Sequence, residues 1–193
     1  MKQNILIVDD EPDIRDVISV ILNDEGYNTT CVSNAQEAQA KINIEIPSLI
    51  ILDIWMRDST MDGLSLLNWI KDSNPEIPVL MISGHGTVEI AVNAIKAGAY
   101  DFIEKPFKSE KLLFMVSRAL ENSELKKENE ELKQQVRRTD MIVGKSSIIN
   151  SVRQTIAKVS QTNSRVLILG SSGSGKEACA RTIHQESPRR NSS

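Results

Sequence analysis

The chain has 193 residues, 40% of them apolar and 25% charged, with a formal net charge of -3. That length holds one full domain plus a fragment, or two very small domains. The charge supplies no global basic field for nucleic acid, and no apolar run approaches the roughly 20 residues a bilayer-spanning helix needs. Cys31 and Cys179 lack metal-type spacing and read as reduced thiols. Residues 1–4 lead directly into an apolar run with no signal-peptide pattern, so a cytoplasmic protein without a membrane partner is expected.

The first hundred residues alternate in type. ILIV (5–8) is a short apolar run that ends on Asp9 and Asp10. DIRDVISVILNDEG (13–26) places Ile14, Val17, Ile18, Ile21 and Leu22 at helical spacing and stops at Gly26. YNTTCV (27–32) reads as a strand, and NAQEAQAKIN (34–43) as a helix capped by Asn34. SLIIL (48–52) is a strand that runs into Asp53. GLSLLNWIKDSNP (63–75) is a helix halted by Pro75, and PVLMIS (78–83) is a strand. TVEIAVNAIKAG (87–98) is a helix stopped by Gly98. YDFIEKPF (100–107) holds a short fifth strand, and a long helix opens at Ser109. The strands are unbroken apolar runs rather than alternating ones, which predicts burial on both faces. The fold class is therefore α/β, a five-stranded parallel doubly wound sheet.

After about residue 120 the composition changes: ENSELKKENEELKQQVRR (121–138) is charged and free of glycine and proline. With Leu125 and Leu132 at heptad position d, Asn122, Asn129 and Val136 fall at a, Glu121 and Glu128 at g, and Lys126 and Lys133 at e. A parallel homodimer through this linker is one reading. A solvated single helix supported by Glu124–Lys127 and Glu130–Lys133 is the other. Residues 141–162 give a loop and an amphipathic helix over Ile148, Ile149, Val152, Ile156 and Val159. RVLIL (165–169) then reads as a strand, followed by a Gly/Ser loop and the start of a helix.

In a parallel sheet of this kind the carboxyl ends of the strands share one edge. That edge collects Asp9, Asp10, Asp53, Ser83 and Lys105. Three close carboxylates repel one another, and crowding raises their pKa values. A divalent cation removes the conflict, and magnesium suits a site of few carboxylates, water and phosphate oxygens. An exposed aspartate beside such an ion acts as a nucleophile toward a phosphoryl group. Lys105 offers mobile positive charge to phosphoryl oxygens and Ser83 a hydroxyl donor. Lys105 precedes Pro106, a bond type with a real cis population.

IVDDE, IILDI, MISGHG and EKPF, in this order and spacing, resemble the receiver domain of two-component response regulators, with a flavodoxin-like fold, over roughly residues 3–122. The resemblance implies that Asp53 is phosphorylated by a sensor histidine kinase. It also implies that Asp9, Asp10, Asp53 and the backbone carbonyl of Trp55 bind Mg2+, that Ser83 and Lys105 read the phosphoryl group, and that Phe102 is the aromatic switch residue. His85 reads as a loop residue, and Trp69 and Met56 as packing.

GSSGSGKE (170–177) fits G-x-x-x-x-G-K between a strand and a helix, the context of a phosphate-binding loop. Gly170, Ser171, Ser172, Gly173, Ser174, Gly175 and Lys176 would surround ATP phosphates. Glu177 stands where a hydroxyl ligand for magnesium is usual. The segment resembles the opening of the AAA+ domain of NtrC-type transcription activators, in which a glutamate follows the lysine, although Ser171 replaces the glutamate common there. The chain thus divides into a receiver (1–122), a helical linker (123–138) and a truncated AAA+ start (139–193). One strand and two helices cannot bury a normal core, so ATP hydrolysis is not expected. RNA polymerase carrying sigma-54, and DNA, are partners only of a longer protein.

The loop MRDSTMDG (56–63) is two residues longer than is usual in receivers and lacks their Met-Pro. In this it resembles the NtrX branch of the NtrC superfamily, which implies an NtrY-like kinase partner and control of transcription. The added polar residues are expected to shape kinase docking. The competing classes are an ATP-dependent activator and a degenerate receiver that acts only as an interaction module.

Overall fold

The computed structural model describes residues 3–56, 59, 61–84, 87–140, 144 and 146–189, with the backbone alone for 134–140. His85, three residues of the long loop (Arg57, Asp58 and Thr60) and the Val136 side chain therefore lie outside the described residues. The chain forms two compact units, Met1–Lys126 and Lys127–Ser193.

In the first unit the elements run β1 (Asn4–Val8), α1 (Pro12–Asp24), β2 (Asn28–Val32), α2 (Ala35–Ile44), β3 (Leu49–Asp53), α3 (Gly63–Ser73), β4 (Val79–Ser83), α4 (Val88–Lys96) and β5 (Asp101–Glu104), and then α5 begins (Ser109–Asp140). The sheet is parallel throughout, in the order β2-β1-β3-β4-β5. Apolar residues on alternate strand positions face opposite layers, because successive side chains of a strand point to opposite faces. Leu6, Val8, Ile50, Leu52, Val79 and Met81 pack with Ala38, Ile42, Leu66, Leu67, Ile70 and Ala94 of α2, α3 and α4. Ile5, Ile7, Leu49, Ile51, Leu80, Ile82 and Ile103 pack with Ile18, Leu22, Leu112, Val116 and Leu120 of α1 and α5. Burying each of these large side chains contributes about 1.5–3 kcal/mol, so the two cores set the strand register and with it the edge where the strands end.

The helix signals act where the residues place them. Asn34 Oδ1 accepts the Glu37 N–H at 2.9 Å, Asp62 accepts from Ser65 at 2.7 Å, and Thr87 accepts from Ile90 at 3.3 Å. Gly26 and Gly98 take positive φ of 88° and 98° just past helix ends, a conformation without steric cost only for glycine. Trp69 and Met56 pack in the first core. The Lys105–Pro106 bond is cis.

In the second unit, α6 (Ser147–Val159) and α7 (Lys176–Glu186) form. Ser146 caps α6 through the Ile149 N–H at 3.3 Å. Ile156 is buried, whereas Ile148 at the opposite end of the helical stripe is exposed. The strand expected over residues 165–169 is not formed: these residues carry no regular structure, and Leu167 and Leu169 are each 82% exposed. A strand needs a neighbour to take its backbone hydrogen bonds. Among the described residues of this unit there is no other strand to provide one.

Candidate functional site

The site lies where β1 and β3 sit side by side and their connections leave toward opposite faces of the sheet. Such a switch point opens a crevice at the carboxyl ends of the strands. Val8 is paired with Leu52 across the two strands, so the next residue of each, Asp9 and Asp53, reaches the rim at the same level. Asp9, Asp10 and Asp53 each offer an oxygen, and these oxygens lie within 4.8 Å of one another. Ser83 ends β4 one position past Ile82, the partner of Asp53, and is itself paired with Glu104, so Lys105 follows at the rim. The structure therefore brings together all five residues singled out at this edge.

Lys105 holds the acids together. Its Nζ donates to Asp9 Oδ2 at 2.8 Å and to Glu11 Oε1 at 3.4 Å, and it stands 3.3 Å from Asp53 Oδ1. Asp9 Oδ1 accepts the Glu11 N–H at 2.9 Å, and Arg15 Nη1 donates to the Asp9 carbonyl at 2.6 Å. Asp9 is fully buried and Asp53 is 3% exposed. The exposed nucleophile expected from the sequence is thus a buried one. The ammonium of Lys105 is anchored rather than mobile, because its side chain is only 12% exposed and sits among carboxylates.

These surroundings act on protonation. Burial pushes the Asp53 carboxyl up from 3.8 to about 6, against the nearby Lys105 charge and with smaller help from Asp9 and Asp10. Burial also raises Asp9 above the usual carboxylate range, opposed by its hydrogen bonds from Lys105 and Glu11. For Lys105 burial works to lower the pKa, but the bond to Asp9 and the charges of Asp53 and Asp9 outweigh it and hold the amine above its ordinary value. Desolvation, more than crowding among the acids, therefore dominates.

Asp53 Oδ1 is a buried oxygen without a hydrogen-bond partner. A buried carboxylate oxygen that has an ion pair with Lys105 but no hydrogen bond is incompletely satisfied, and beside two further acids it fits a hard divalent cation. Trp55, whose carbonyl completes the expected ligand set, lies two residues past Asp53 and is 53% exposed. Phe102 is half-buried on β5 and packs against the first core.

Two close contacts were not read from the sequence. Glu11, the third acid of IVDDE, touches Lys105. At Gly63 an added Cβ would collide with the Asp53 carbonyl oxygen and come within 2.8 Å of Ile54 Cα. The MDG tripeptide carried that signal, because a glycine opening a helix beside a strand end marks a close backbone approach.

At the Gly/Ser loop, Lys176 Nζ donates to the carbonyls of Gly170 at 2.9 Å and Ser171 at 2.6 Å. Gly173 and Gly175 take positive φ of 76° and 82°. Glu177 pairs with Arg181 at 2.7 Å. Ser172 and Ser174 lie on the exposed loop between them.

The response regulator receiver domain profile matches residues 5–117. The chain belongs to the response regulator receiver family. The sigma-54 interaction domain profile matches residues 142–193. The nitrogen assimilation regulatory protein NtrX of Azorhizobium caulinodans is 53% identical over 189 residues, covering 98% of this chain and 41% of that protein. The crystal structure of NtrX from Brucella abortus in complex with ADP matches with a TM-score of 0.66 and 52% identity, covering 99% of this chain and 42% of that one. The crystal structure of the receiver domain of Brucella abortus NtrX matches with a TM-score of 0.59 and 56% identity, covering 61% of this chain and 98% of that one. The chain is thus an NtrX-like response regulator that spans about two fifths of the length of the full-length relatives. Among its described residues, no helix is long and apolar enough to cross a membrane.

Proposed function

We propose that Asp53 accepts a phosphoryl group from a sensor histidine kinase, NtrY-like in kind, and that the chain thereby serves NtrX-like control of transcription. The observation that carries this is the buried, unbonded Asp53 Oδ1 facing Asp9, Asp10 and Lys105. A carboxylate oxygen of Asp53 attacks phosphorus, the bond from phosphorus to the donor's imidazole nitrogen breaks, and the electron pair leaves with that nitrogen. Lys105 offers its ammonium to the phosphoryl oxygens and Ser83 its hydroxyl, with Phe102 responding on β5. Asp9, Asp10, Asp53 and the Trp55 carbonyl would hold Mg2+, which when bound offsets the repulsion between carboxylates and phosphoryl oxygens.

The test is intact mass after incubation with magnesium and acetyl phosphate. A gain of one phosphoryl group, absent in Asp53→Asn, is expected. No gain would leave the degenerate interaction module as the better reading.

In this reading residues 1–122 act as the receiver, 123–138 as a helical linker and 139–193 as the opening of an AAA+ domain. The chain would act as a homodimer through the α4–β5–α5 face and the linker, where Val88, Val92 and Ile95 of α4 and Leu125 and Leu132 of α5 are exposed. Sigma-54 RNA polymerase and DNA would be partners of a longer protein.

A second reading, nucleotide binding at Gly170–Glu177, is favoured by the loop's wrap around the Lys176 ammonium and by the ADP bound to the Brucella relative. Equilibrium titration with a fluorescent ATP analogue, with Lys176→Ala as control, tests it.

A further inference from the structure

The turn that carries Asp9, Asp10 and Glu11 from β1 into α1 is held without a helix cap. Glu11 occupies the cap position of α1, yet its side chain makes no capping hydrogen bond. Its carboxylate faces Lys105 instead. Two other residues close the turn. From within, Asp9 Oδ1 accepts the Glu11 N–H at 2.9 Å. From the helix, Arg15 bonds it twice. The Arg15 backbone N–H donates to the Glu11 carbonyl at 3.2 Å, and Arg15 Nη1 donates to the Asp9 carbonyl at 2.6 Å.

The Asp9 carbonyl lies beyond the sheet ladder. The paired registers of β1 and β2 end at Val8 and Val32, and the Asp9 N–H reaches back to the Val32 carbonyl at 3.3 Å. Past Val32 the second strand turns to its own business. The Ser33 N–H donates to the Glu37 carboxylate at 3.0 Å, and Asn34 caps α2. Arg15 takes the carbonyl that the ladder leaves behind. It is half-buried where it does so, and a charged donor makes one of the stronger hydrogen bonds.

We infer that Arg15 is a positioning residue for the cation site: by holding the Asp9 carbonyl, its guanidinium sets the Asp9–Asp10 peptide and so presents Asp10 to the cation together with Asp9 and Asp53. This rests on the magnesium reading above. A peptide unit is planar, so fixing the Asp9 carbonyl fixes the direction in which the chain leaves for Asp10. Asp10 is the least buried of the three acids, so packing constrains it least and its backbone matters most. The three acids bring their oxygens within 4.8 Å of one another, and a tilt of this peptide would open that spacing. Ordered ligands bind more tightly because less freedom is lost on binding. The charge of Arg15 acts in the opposite sense, since a guanidinium beside the acids repels a divalent cation. Position and charge therefore predict opposite outcomes when Arg15 is replaced.

The experiment is a titration of the 15N-labelled full chain with magnesium chloride, read from amide chemical shifts at a temperature where every variant is folded. Arg15→Met keeps the apolar stem and deletes the donor. Arg15→Lys keeps a charged donor of similar reach. Arg15→Met is expected to weaken magnesium binding about fivefold, the scale of one hydrogen bond, and Arg15→Lys to recover most of the affinity. Unchanged or tighter binding in Arg15→Met overturns the inference, because charge alone would then account for Arg15. An equal loss in both variants overturns it too, since the retained donor would then be irrelevant. So does a loss confined to temperatures at which the metal-free Arg15→Met protein is already melting, which would make Arg15 purely structural. A wild type without saturable shifts sinks the magnesium reading itself, and this inference with it, so the two failures are told apart by which protein fails.

Discussion

Lys105 Nζ stands 3.3 Å from Asp53 Oδ1 and yet is not aligned to hydrogen-bond it. Its bonds go instead to Asp9 and Glu11. The ammonium thus neutralises the acid cluster by charge and leaves one oxygen of Asp53 unsatisfied. A divalent cation entering the cluster must compete with that ammonium.

Lys105→Ala removes the competitor. It also leaves Asp9 and Asp53 buried without a counter-charge, and breaking a buried pair this way costs about 3–5 kcal/mol. The variant should melt well below wild type without metal, and magnesium should raise its melting temperature by more than it raises that of wild type. Equal magnesium shifts in a thermal melt would contradict this.

The raised Asp53 pKa has a definite sign. Its folded value, about 6, lies above the ordinary 3.8, so the native state holds a proton that the unfolded state releases between these two values. This contribution to stability is complete below pH 3.8 and is lost as pH rises through about 6. In metal-free urea unfolding, Asp53→Asn should exceed wild type in stability at pH 7 to 8 by on the order of 2–3 kcal/mol. The gap should close toward pH 4, because the amide does not titrate. Magnesium should stabilise wild type and leave Asp53→Asn nearly unaffected.

Gly63→Ala places a methyl group against the backbone of Asp53 and Ile54. Neither neighbour is a flexible side-chain tip, so the strand end or the start of α3 must shift. Overpacking of this kind costs about 1–3 kcal/mol. Urea denaturation should show the loss, and phosphorylation by acetyl phosphate should slow as Asp53 moves. Wild-type behaviour in both measurements would mean that the backbone yields freely.

Leu125 and Leu132 are 59% and 53% exposed. If the heptad pairing operates, Leu125→Lys with Leu132→Lys should shift the chain toward monomer in sedimentation velocity while leaving its helix content unchanged. An unchanged sedimentation coefficient would favour the solvated single helix, for which Lys133 and Glu130 already form a local pair at 2.8 Å.

Much of the receiver was legible in the residues because its signals are local. Ile14, Ile18 and Leu22 announce α1 by spacing, and Asn34 and Gly98 mark helix ends. ILIV and LIIL announce buried strands by being apolar without interruption. The failures came where locality ends. RVLIL has the same character as LIIL, yet it forms no strand and exposes its leucines, since strand formation depends on a neighbour that apolar composition cannot guarantee. The added loop residues read as a mark of kinship and a guide to kinase docking, and the bond of Ser59 went unread because its partner is the amide of Ala35, 24 positions away.

The sequence alone determined the order of strands and helices and which acids, hydroxyl and lysine end on one edge, because periodicity and strand termini are written residue by residue. Only the tertiary structure decided that Asp53 is buried rather than exposed, that Lys105 bonds Asp9 and Glu11 while merely facing Asp53, and that Ser59 clips its loop to α2. Burial and hydrogen-bond alignment depend on how segments distant in sequence pack together, and the physics of desolvation acts on that packing.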